Sequence, residues 1–286
     1  MKDEGAQQHY IGAEDAGEAE RLVAQESGAQ DELRAALALH LPPEQARVLE
    51  LGCGNGVFTQ ALLTALPDAT ITAIDTDERL LADARVRLAQ ATSAGRITFA
   101  RADATRLPYP ARSFDLVACR FLLMHQADPL IVVGEMFRVA AIGGVALAIE
   151  PDWGARALYP DGEAQLALLD LASRAHPYGF PDLLLGRKLY ALLRAVGFAD
   201  MRVRATAFCE TAADRPAISE DEEQPSTGPA RLLEQGRSLL RSSGVADDAT
   251  LDALIARLEA IPRHPEYFSA GMDFAVSARK PAPTVP

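Results

Sequence analysis

Short apolar segments alternate with longer amphipathic segments along the first half of the chain. Each apolar segment is expected to form a strand, near residues 47–51, 70–74, 96–100, 116–119 and 145–149. Most of the intervening segments are expected to be helices, which end at Pro67, at Gly95 and before Gly143. Strands that alternate with helices predict a parallel sheet with helices packed on it.

The second half of the chain continues this alternation less regularly. Helices are expected at 162–173, 185–196, 230–243 and 247–260, and strands at 201–211 and 268–279. Phe274, Val276 and Ala278 fall on one face of the last strand. Residues 212–229 contain the acidic run Glu220–Glu223 among several Pro, Ser and Gly residues, which predicts a mobile surface loop.

The first predicted strand runs directly into three glycines at alternate positions, Gly52, Gly54 and Gly56. Glycine lets the backbone turn tightly at a strand end and approach a ligand without a Cβ atom in the way. The second predicted strand ends in Asp75, 19 residues after the third glycine. A strand, a glycine turn, a helix and a second strand ending in an acid are typical of a nucleoside-binding βαβ unit.

The glycine spacing indicates which nucleoside is bound. The dinucleotide fingerprint G-x-G-x-x-G would place its third glycine where this chain has Val57. A pyrophosphate prefers the positive end of a helix, and Glu50, just before the first glycine, would repel it. An acid at that position suits a ligand with an amino group or a sulfonium, and Asp75 would accept hydrogen bonds from a ribose diol.

Five motifs in this order resemble those of the class I S-adenosylmethionine-dependent methyltransferases. Glu50–Gly56 is similar to motif I, and Asp75 is similar to the ribose-binding acid. Arg101–Ala104 is similar to the adenine-contacting segment. Ser113–Val117 is similar to the run into the fourth strand, and Gly143–Val145 is similar to the turn before the fifth. The resemblance is strongest to small-molecule methyltransferases related to the ubiquinone and menaquinone biosynthesis enzymes. It covers residues 45–150 well and the rest loosely.

The resemblance implies a Rossmann-like, doubly wound α/β sheet of seven strands, with strand 7 antiparallel between strands 5 and 6. A helix from Glu18 to Leu41, ended by Pro42 and Pro43, would form part of a helical N-terminal segment. The expected organisation begins with an N-terminal cap segment (1–42) and a cofactor-binding core (43–211) that has a helical insertion near 155–185. An acidic loop with a helical insertion (212–264) follows, and the last core strand with a tail (265–286) ends the chain.

The resemblance also implies which residues hold the cofactor. Candidates in motif I are Glu50, Gly52, Cys53, Gly54, Asn55 and Gly56. Those after the next strands are Asp75, Thr76, Asp103, Ala104, Arg120 and His125. Tyr10 and Arg21 of the N-terminal segment could reach the methionine carboxylate, because a guanidinium binds a carboxylate through two hydrogen bonds. The alternatives are a helix-capping acid for Asp75, a loop-turn aspartate for Asp103 and a solvated helix face for Tyr10 and Arg21. Asp77 is better placed than Asp75 for capping.

Candidates for catalysis and acceptor binding follow the later strands. His125 is a candidate general base because imidazole titrates near neutral pH; alternatively it orients its loop or caps the next helix. His176 and Tyr178 are further catalytic candidates. Trp153 and Tyr159 are candidate substrate contacts, and Trp153 could shield a sulfonium by a cation–π contact or serve only for packing.

Composition limits the partners and the compartment. The formal net charge of −12 argues against a nucleic-acid substrate and favours a small molecule. No apolar run reaches the roughly 18–20 residues of a membrane helix, and the polar N-terminus lacks the apolar region of a secretion signal. Three isolated cysteines (Cys53, Cys119 and Cys209) suggest no disulfide framework and no metal cluster, as in a reducing cytoplasm.

The expected function is transfer of a methyl group from S-adenosylmethionine to O, N or C of a small acceptor by in-line displacement, leaving S-adenosylhomocysteine. One alternative keeps the fold and binds the cofactor for other chemistry or for a regulatory role. Another is an NAD-dependent dehydrogenase, which Val57 and Glu50 disfavour. A homodimer is left open by the sequence.

Overall fold

One mixed sheet of seven strands forms the centre of the computed structural model, which describes residues 26–214 and 228–283. The strands are β1 Arg47–Leu51, β2 Thr70–Asp75, β3 Ile97–Arg101, β4 Phe114–Arg120, β5 Ala140–Tyr159, β6 Ala199–Thr211 and β7 Phe268–Arg279. Their order is β3-β2-β1-β4-β5-β7-β6. Strand β7 runs antiparallel between β5 and β6, as expected.

Helices cover both faces of this sheet. They are α1 Glu26–Leu37, α2 Val57–Ala65, α3 Glu78–Arg87, α4 Ala89–Ser93, α5 Pro129–Val139, α6 Gly162–Ala175, α7 Leu189–Ala195, α8 Gly228–Ser242 and α9 Asp248–Ala260. Helices α1, α2 and α3 bury apolar residues against one face. Helices α5 and α7 cover the other, and α6, α8 and α9 continue the same apolar cluster as a cap. No helix of the described residues is long and apolar enough to cross a membrane.

Strand β5 is longer than predicted and changes the shape of the sheet. It continues past the sheet edge to Tyr159, and an irregularity between Asp152 and Ala157 interrupts its pairing with β7. Residues 155–159 therefore extend a strand instead of beginning a helical insertion, so that prediction is wrong at its start. The cap helix begins only at Gly162. The expected helix that ends at Gly95 is divided at Leu88, which leaves helical geometry (φ −111°, ψ 26°).

Helix α1 is fixed to the sheet by contacts from its middle and from just beyond its C-terminal end. His40, just after the helix, lies 2.9 Å from the Ser277 hydroxyl and 3.0 Å from an Asp200 carboxylate oxygen. Glu32 forms an ion pair with Arg120 at the end of β4. Because of these contacts, α1 approaches the carboxyl ends of the central strands, where ligands bind in open α/β sheets.

Candidate cofactor and active site

The glycine turn after β1 has a backbone that only glycine adopts without strain. Gly52, Gly54 and Gly56 have φ angles of 67°, 53° and 85°. A Cβ atom on Gly52 would lie 2.9 Å from Leu122 Cδ1, and one on Gly56 would lie 3.1 Å from Ala84 Cβ. The turn thus needs glycine both for its left-handed conformation and for close packing.

Asp75 joins the ends of β1 and β2. Its carboxylate accepts the Gly54 N–H at 2.8 Å and the Asp77 N–H at 2.9 Å, one on each oxygen. Burial raises the pKa of Asp75, and the backbone N–H groups oppose that rise. Each carboxylate oxygen keeps a further lone pair that a ribose hydroxyl could use. Asp77, rather than Asp75, caps α3 by accepting the Arg79 N–H at 2.8 Å, as predicted.

Glu50 lies buried beneath the glycine turn. Its side chain is 1% exposed, and burial, with a smaller contribution from Asp75, raises its pKa to about 8. The nearby Thr59 hydroxyl favours the ionised form. Among the described residues, however, neither carboxylate oxygen has a hydrogen bond of normal geometry. Burying such a group unpaired is costly, so this orphaned acid fits a cationic or N–H-bearing ligand at the turn.

Asp103 follows β3 and shapes its own loop. Its Oδ1 atom accepts the Thr105 N–H at 2.8 Å and the Thr105 hydroxyl at 2.7 Å. This is the turn role considered from the sequence, and it leaves Oδ2 available to a ligand. Ala102 N–H donates to the Asp75 carbonyl at 3.1 Å, which brings this loop beside the ribose-binding candidate. The adenine-binding roles of Asp103 and Ala104 stay predictions.

The loop after β4 depends on Glu150, which the site prediction omitted. Glu150 is fully buried, and its Oε1 atom accepts the N–H groups of Leu122 and Leu123 at 2.9 and 2.6 Å. These contacts hold the loop just after Phe121, whose φ is 55°. An acid at the end of a buried strand is the sequence signal that could have identified Glu150, as a similar signal identified Glu50.

Arg120 forms a buried charge cluster with Glu32 and Asp273. Its Nε atom lies 2.9 Å from Glu32 Oε2, and the two side chains are 10% and 6% exposed. Burial and the neighbouring Glu32 raise the pKa of Asp273 to about 7, and Arg120 opposes this. The Arg120 guanidinium therefore connects β4 to α1 and β7. Its predicted contact with the cofactor stays a prediction.

The catalytic and substrate candidates divide into two groups. His125 follows the end of β4, and Trp153 lies in the irregular part of β5; both are half-buried. Segment 182–183 contacts both regions, because it accepts the Trp153 N–H and donates to the Met124 carbonyl. Tyr159, 49% exposed, lies at the far end of β5, with its hydroxyl 3.3 Å from Glu266. The structure therefore does not bring Tyr159 to the sheet edge with the others.

His176 and Tyr178 form a short 3-10 turn after α6. The His176 Nδ1 atom lies 2.9 Å from the Phe180 carbonyl oxygen, and Tyr178 is 56% exposed. The carbonyl contact orients the imidazole locally. Tyr10 and Arg21 lie outside the described residues.

The buried acids predict a pH-dependent stability. Glu150 has its pKa raised by burial to about 8, so the folded chain holds a proton there that the unfolded chain releases near its ordinary pKa. This stabilisation is present in acid and is lost as pH rises through about 8. Glu150→Gln should therefore gain about 3 kcal/mol relative to wild type between about pH 5 and 7.5, because wild type alone loses the Glu150 contribution over most of that range and one pKa unit is worth about 1.4 kcal/mol. Urea unfolding of wild type and Glu150→Gln at about pH 5 and pH 7.5 measures this gain. If the free energy of unfolding changed equally in the two proteins between these pH values, the prediction would be contradicted.

Comparison with known proteins identifies the family of the chain. A family model for a methyltransferase domain matches residues 48–144. Trans-aconitate 2-methyltransferase of Methylobacterium radiotolerans is 32% identical over 191 residues, covering 64% of this chain and 70% of that protein. Demethylmenaquinone methyltransferase of Roseiflexus castenholzii is 31% identical over 116 residues, covering 41% and 47%. The chain thus spans about half the length of some curated relatives and more of others.

Solved structures share the fold at low identity. Haemonchus contortus phosphoethanolamine N-methyltransferase 2, bound to phosphomonomethylethanolamine and S-adenosylhomocysteine, has a TM-score of 0.57 at 16% identity, covering 95% of this chain and 60% of that one. The [4+2]-cyclase SpnF has a TM-score of 0.51 at 22% identity, covering 88% and 82%. With its glycine turn, the acid at the end of β2, its strand order and a relative matched over 70% of its length, the chain belongs to the class I S-adenosylmethionine-dependent methyltransferases.

Proposed function

We propose that the chain transfers a methyl group from S-adenosylmethionine to a small-molecule acceptor. The observation that carries the proposal is the glycine turn tied to Asp75, with the unpaired Glu50 carboxylate buried beneath it. When bound, the cofactor supplies an electrophilic methyl group on a sulfonium and leaves as the neutral thioether S-adenosylhomocysteine.

Several residues of the chain would hold this cofactor. Asp75 accepts hydrogen bonds from the ribose diol, and the Gly52–Gly56 turn lets the backbone come close. Glu50 complements the positive charge from below, either directly or through the turn. Asp103 and Ala104 face the adenine, and Thr76, Arg120, Tyr10 and Arg21 are secondary candidates.

On the acceptor side, the chain mainly has to position the nucleophile and exclude water. An in-line displacement with a neutral leaving group gains most from holding the two reactants aligned. The Leu122–His125 loop is fixed by Glu150, and segment 182–183 connects it to Trp153 in β5. The loop and Trp153 would form the acceptor wall. His125 would remove a proton where the acceptor is a hydroxyl or phenol. His176, Tyr178 and Tyr159 are weaker candidates for contacts with the acceptor.

The acceptor class is a small molecule. Curated relatives are named for demethylmenaquinone and trans-aconitate, and the strongly acidic chain lacks the basic excess that a nucleic-acid substrate would favour. We also propose a cytoplasmic location, because the described cysteines are free thiols.

Calorimetric titration with S-adenosylmethionine, S-adenosylhomocysteine and NAD tests the cofactor. We expect saturable heat with the first two and none with NAD, because Val57 replaces the third glycine of the dinucleotide fingerprint and the buried Glu50 offers no positive charge to a pyrophosphate. Absence of heat with the first two, or binding of NAD alone, would refute the proposal.

A second candidate is cofactor binding without methyl transfer. It is supported by the [4+2]-cyclase that shares this fold, because the name of that protein describes a reaction other than methyl transfer. Incubation with methyl-labelled cofactor and a panel of quinols, carboxylates and amines distinguishes the two. Labelled product supports methyl transfer, whereas tight binding with no label transferred to any acceptor supports the second candidate.

A further inference from the structure

Strand β6 is the edge of the sheet and is unusually exposed. It is 13 residues long, and none of them is buried. It pairs with β7 on one side, and no strand among the described residues pairs with its other side. A long exposed edge with open N–H and C=O groups is a template for pairing with another strand, which proteins normally cover or interrupt.

One face of this edge is apolar. Val203, Ala205, Ala207 and Cys209 alternate along it, and Ala207 pairs with Met272 of β7. Val203 and Met272 are 48% and 39% exposed. The same face continues to Phe268, which is 40% exposed. An open apolar sheet face beside an open edge is typical of an interaction surface.

The sequence of β6 is complementary to itself when read antiparallel about Thr206. In that register Arg202 lies opposite Glu210 of a second copy, and Arg204 lies opposite Phe208. These pairs share one face, because all are an even number of residues apart. Opposite charges and a cation over an aromatic ring are favourable cross-strand partners. On the other face, Val203 meets Cys209 and Ala205 meets Ala207.

We propose that two copies of the chain form a two-fold symmetric dimer by antiparallel pairing of their β6 edges, with the axis at Thr206. Such an isologous contact uses the same patch on both subunits and joins the two sheets into one. The segment 215–227 is a poorer occupant for the apolar face, because Ile218 is its one large aliphatic residue and four acids follow closely. The dimer does not depend on the methyl-transfer chemistry, so its tests measure mass rather than activity.

Cysteine cross-linking tests the register. Directly opposed residues of antiparallel strands have Cα atoms about 4.5–5.5 Å apart, within the range that a disulfide spans. In a Cys209→Ser background, Thr206→Cys should therefore form a covalent dimer on mild oxidation. Arg204→Cys and Phe208→Cys should not, since each would face a different residue of the partner. Equal cross-linking at all three positions, or none at 206, would overturn the proposed register.

Charge exchange tests the pairing without oxidation. Arg202→Glu alone places glutamates opposite each other, and Glu210→Arg alone places arginines opposite each other. Each variant should dimerise at least about tenfold more weakly, because like charges repel at both symmetric positions. An equimolar mixture should recover the wild-type dissociation constant, since both pairs again have opposite charges. Arg174→Glu, an exposed reversal on α6, is the matched control and should leave the dimer intact.

Sedimentation should give the wild-type chain twice its mass of 30.6 kDa. A wild-type monomer at tens of micromolar would overturn the proposal, and slow amide exchange along its β6 would then indicate that the chain covers its own edge. A dimer that the single variants do not weaken, or that the mixture does not restore, would also overturn this interface.

Discussion

Replacing Asp75 with alanine should weaken binding of S-adenosylmethionine by about a hundredfold or more. The carboxylate accepts the Gly54 and Asp77 N–H groups, and in the proposed function its remaining lone pairs accept the ribose hydroxyls. Hydrogen bonds to a charged group contribute about 1.5–3 kcal/mol each, so losing the two to the ribose alone accounts for this change. Calorimetry with the cofactor product, which cannot react, gives the affinity directly.

Asp77→Ala is the matched control for that experiment. It removes an acid two residues away that caps α3 through the Arg79 N–H. Loss of an N-cap costs about 1 kcal/mol of stability, but affinity should stay within about threefold. If both variants bound the cofactor like wild type, the ribose role of Asp75 would be wrong. If both lost affinity equally, the effect would come from the loop rather than from the carboxylate.

Replacing Arg120 with leucine should lower the free energy of unfolding by about 3–5 kcal/mol near pH 8. Removing one partner of a buried ion pair leaves an uncompensated charge, here on Glu32, with Asp273 beside it. The loss should shrink towards pH 5, because Asp273, whose pKa is raised to about 7, is then protonated and no longer adds a second negative charge beside Glu32. Urea unfolding without cofactor measures this at both pH values.

Two further variants separate burial from charge. Arg47→Leu removes an exposed ion pair with Asp115, whose N···O distances of 3.1 Å are similar to the 2.9 Å between Arg120 and Glu32. This change should lower the free energy of unfolding by about 1 kcal/mol or less. The double variant Arg120→Leu, Glu32→Leu should recover part of the loss, since it removes both buried charges. Equal losses for Arg120→Leu and Arg47→Leu, or a pH-independent loss, would contradict the assigned role of the cluster.

The local signals in the sequence identified the sheet well. Apolar runs, the glycine turn and the ordered motifs located β1 to β5 and the last strand, because strand ends and tight turns are set by neighbouring residues. Asp75 is half-buried between two backbone N–H groups at the predicted strand end. The antiparallel position of β7 followed from the family resemblance and is confirmed.

Features that depend on distant contacts could not be predicted. Residues 157–159 continue β5 because they pair with β7, more than 100 residues away. The helix break at Leu88 accompanies burial of that side chain close to Gly56. Glu32 and Asp273 join Arg120 only through the fold, so the sequence identified the arginine without its partners.

Glu50 has a consequence for the energetics of ligand binding. Its pKa of about 8 means that the unliganded chain holds a proton there at neutral pH. A ligand that brings positive charge to the turn favours the ionised carboxylate, so that proton is expelled into the solvent. Occupancy of the glycine turn is thereby an exchange of one cation for another, and it becomes more favourable as the medium becomes more alkaline.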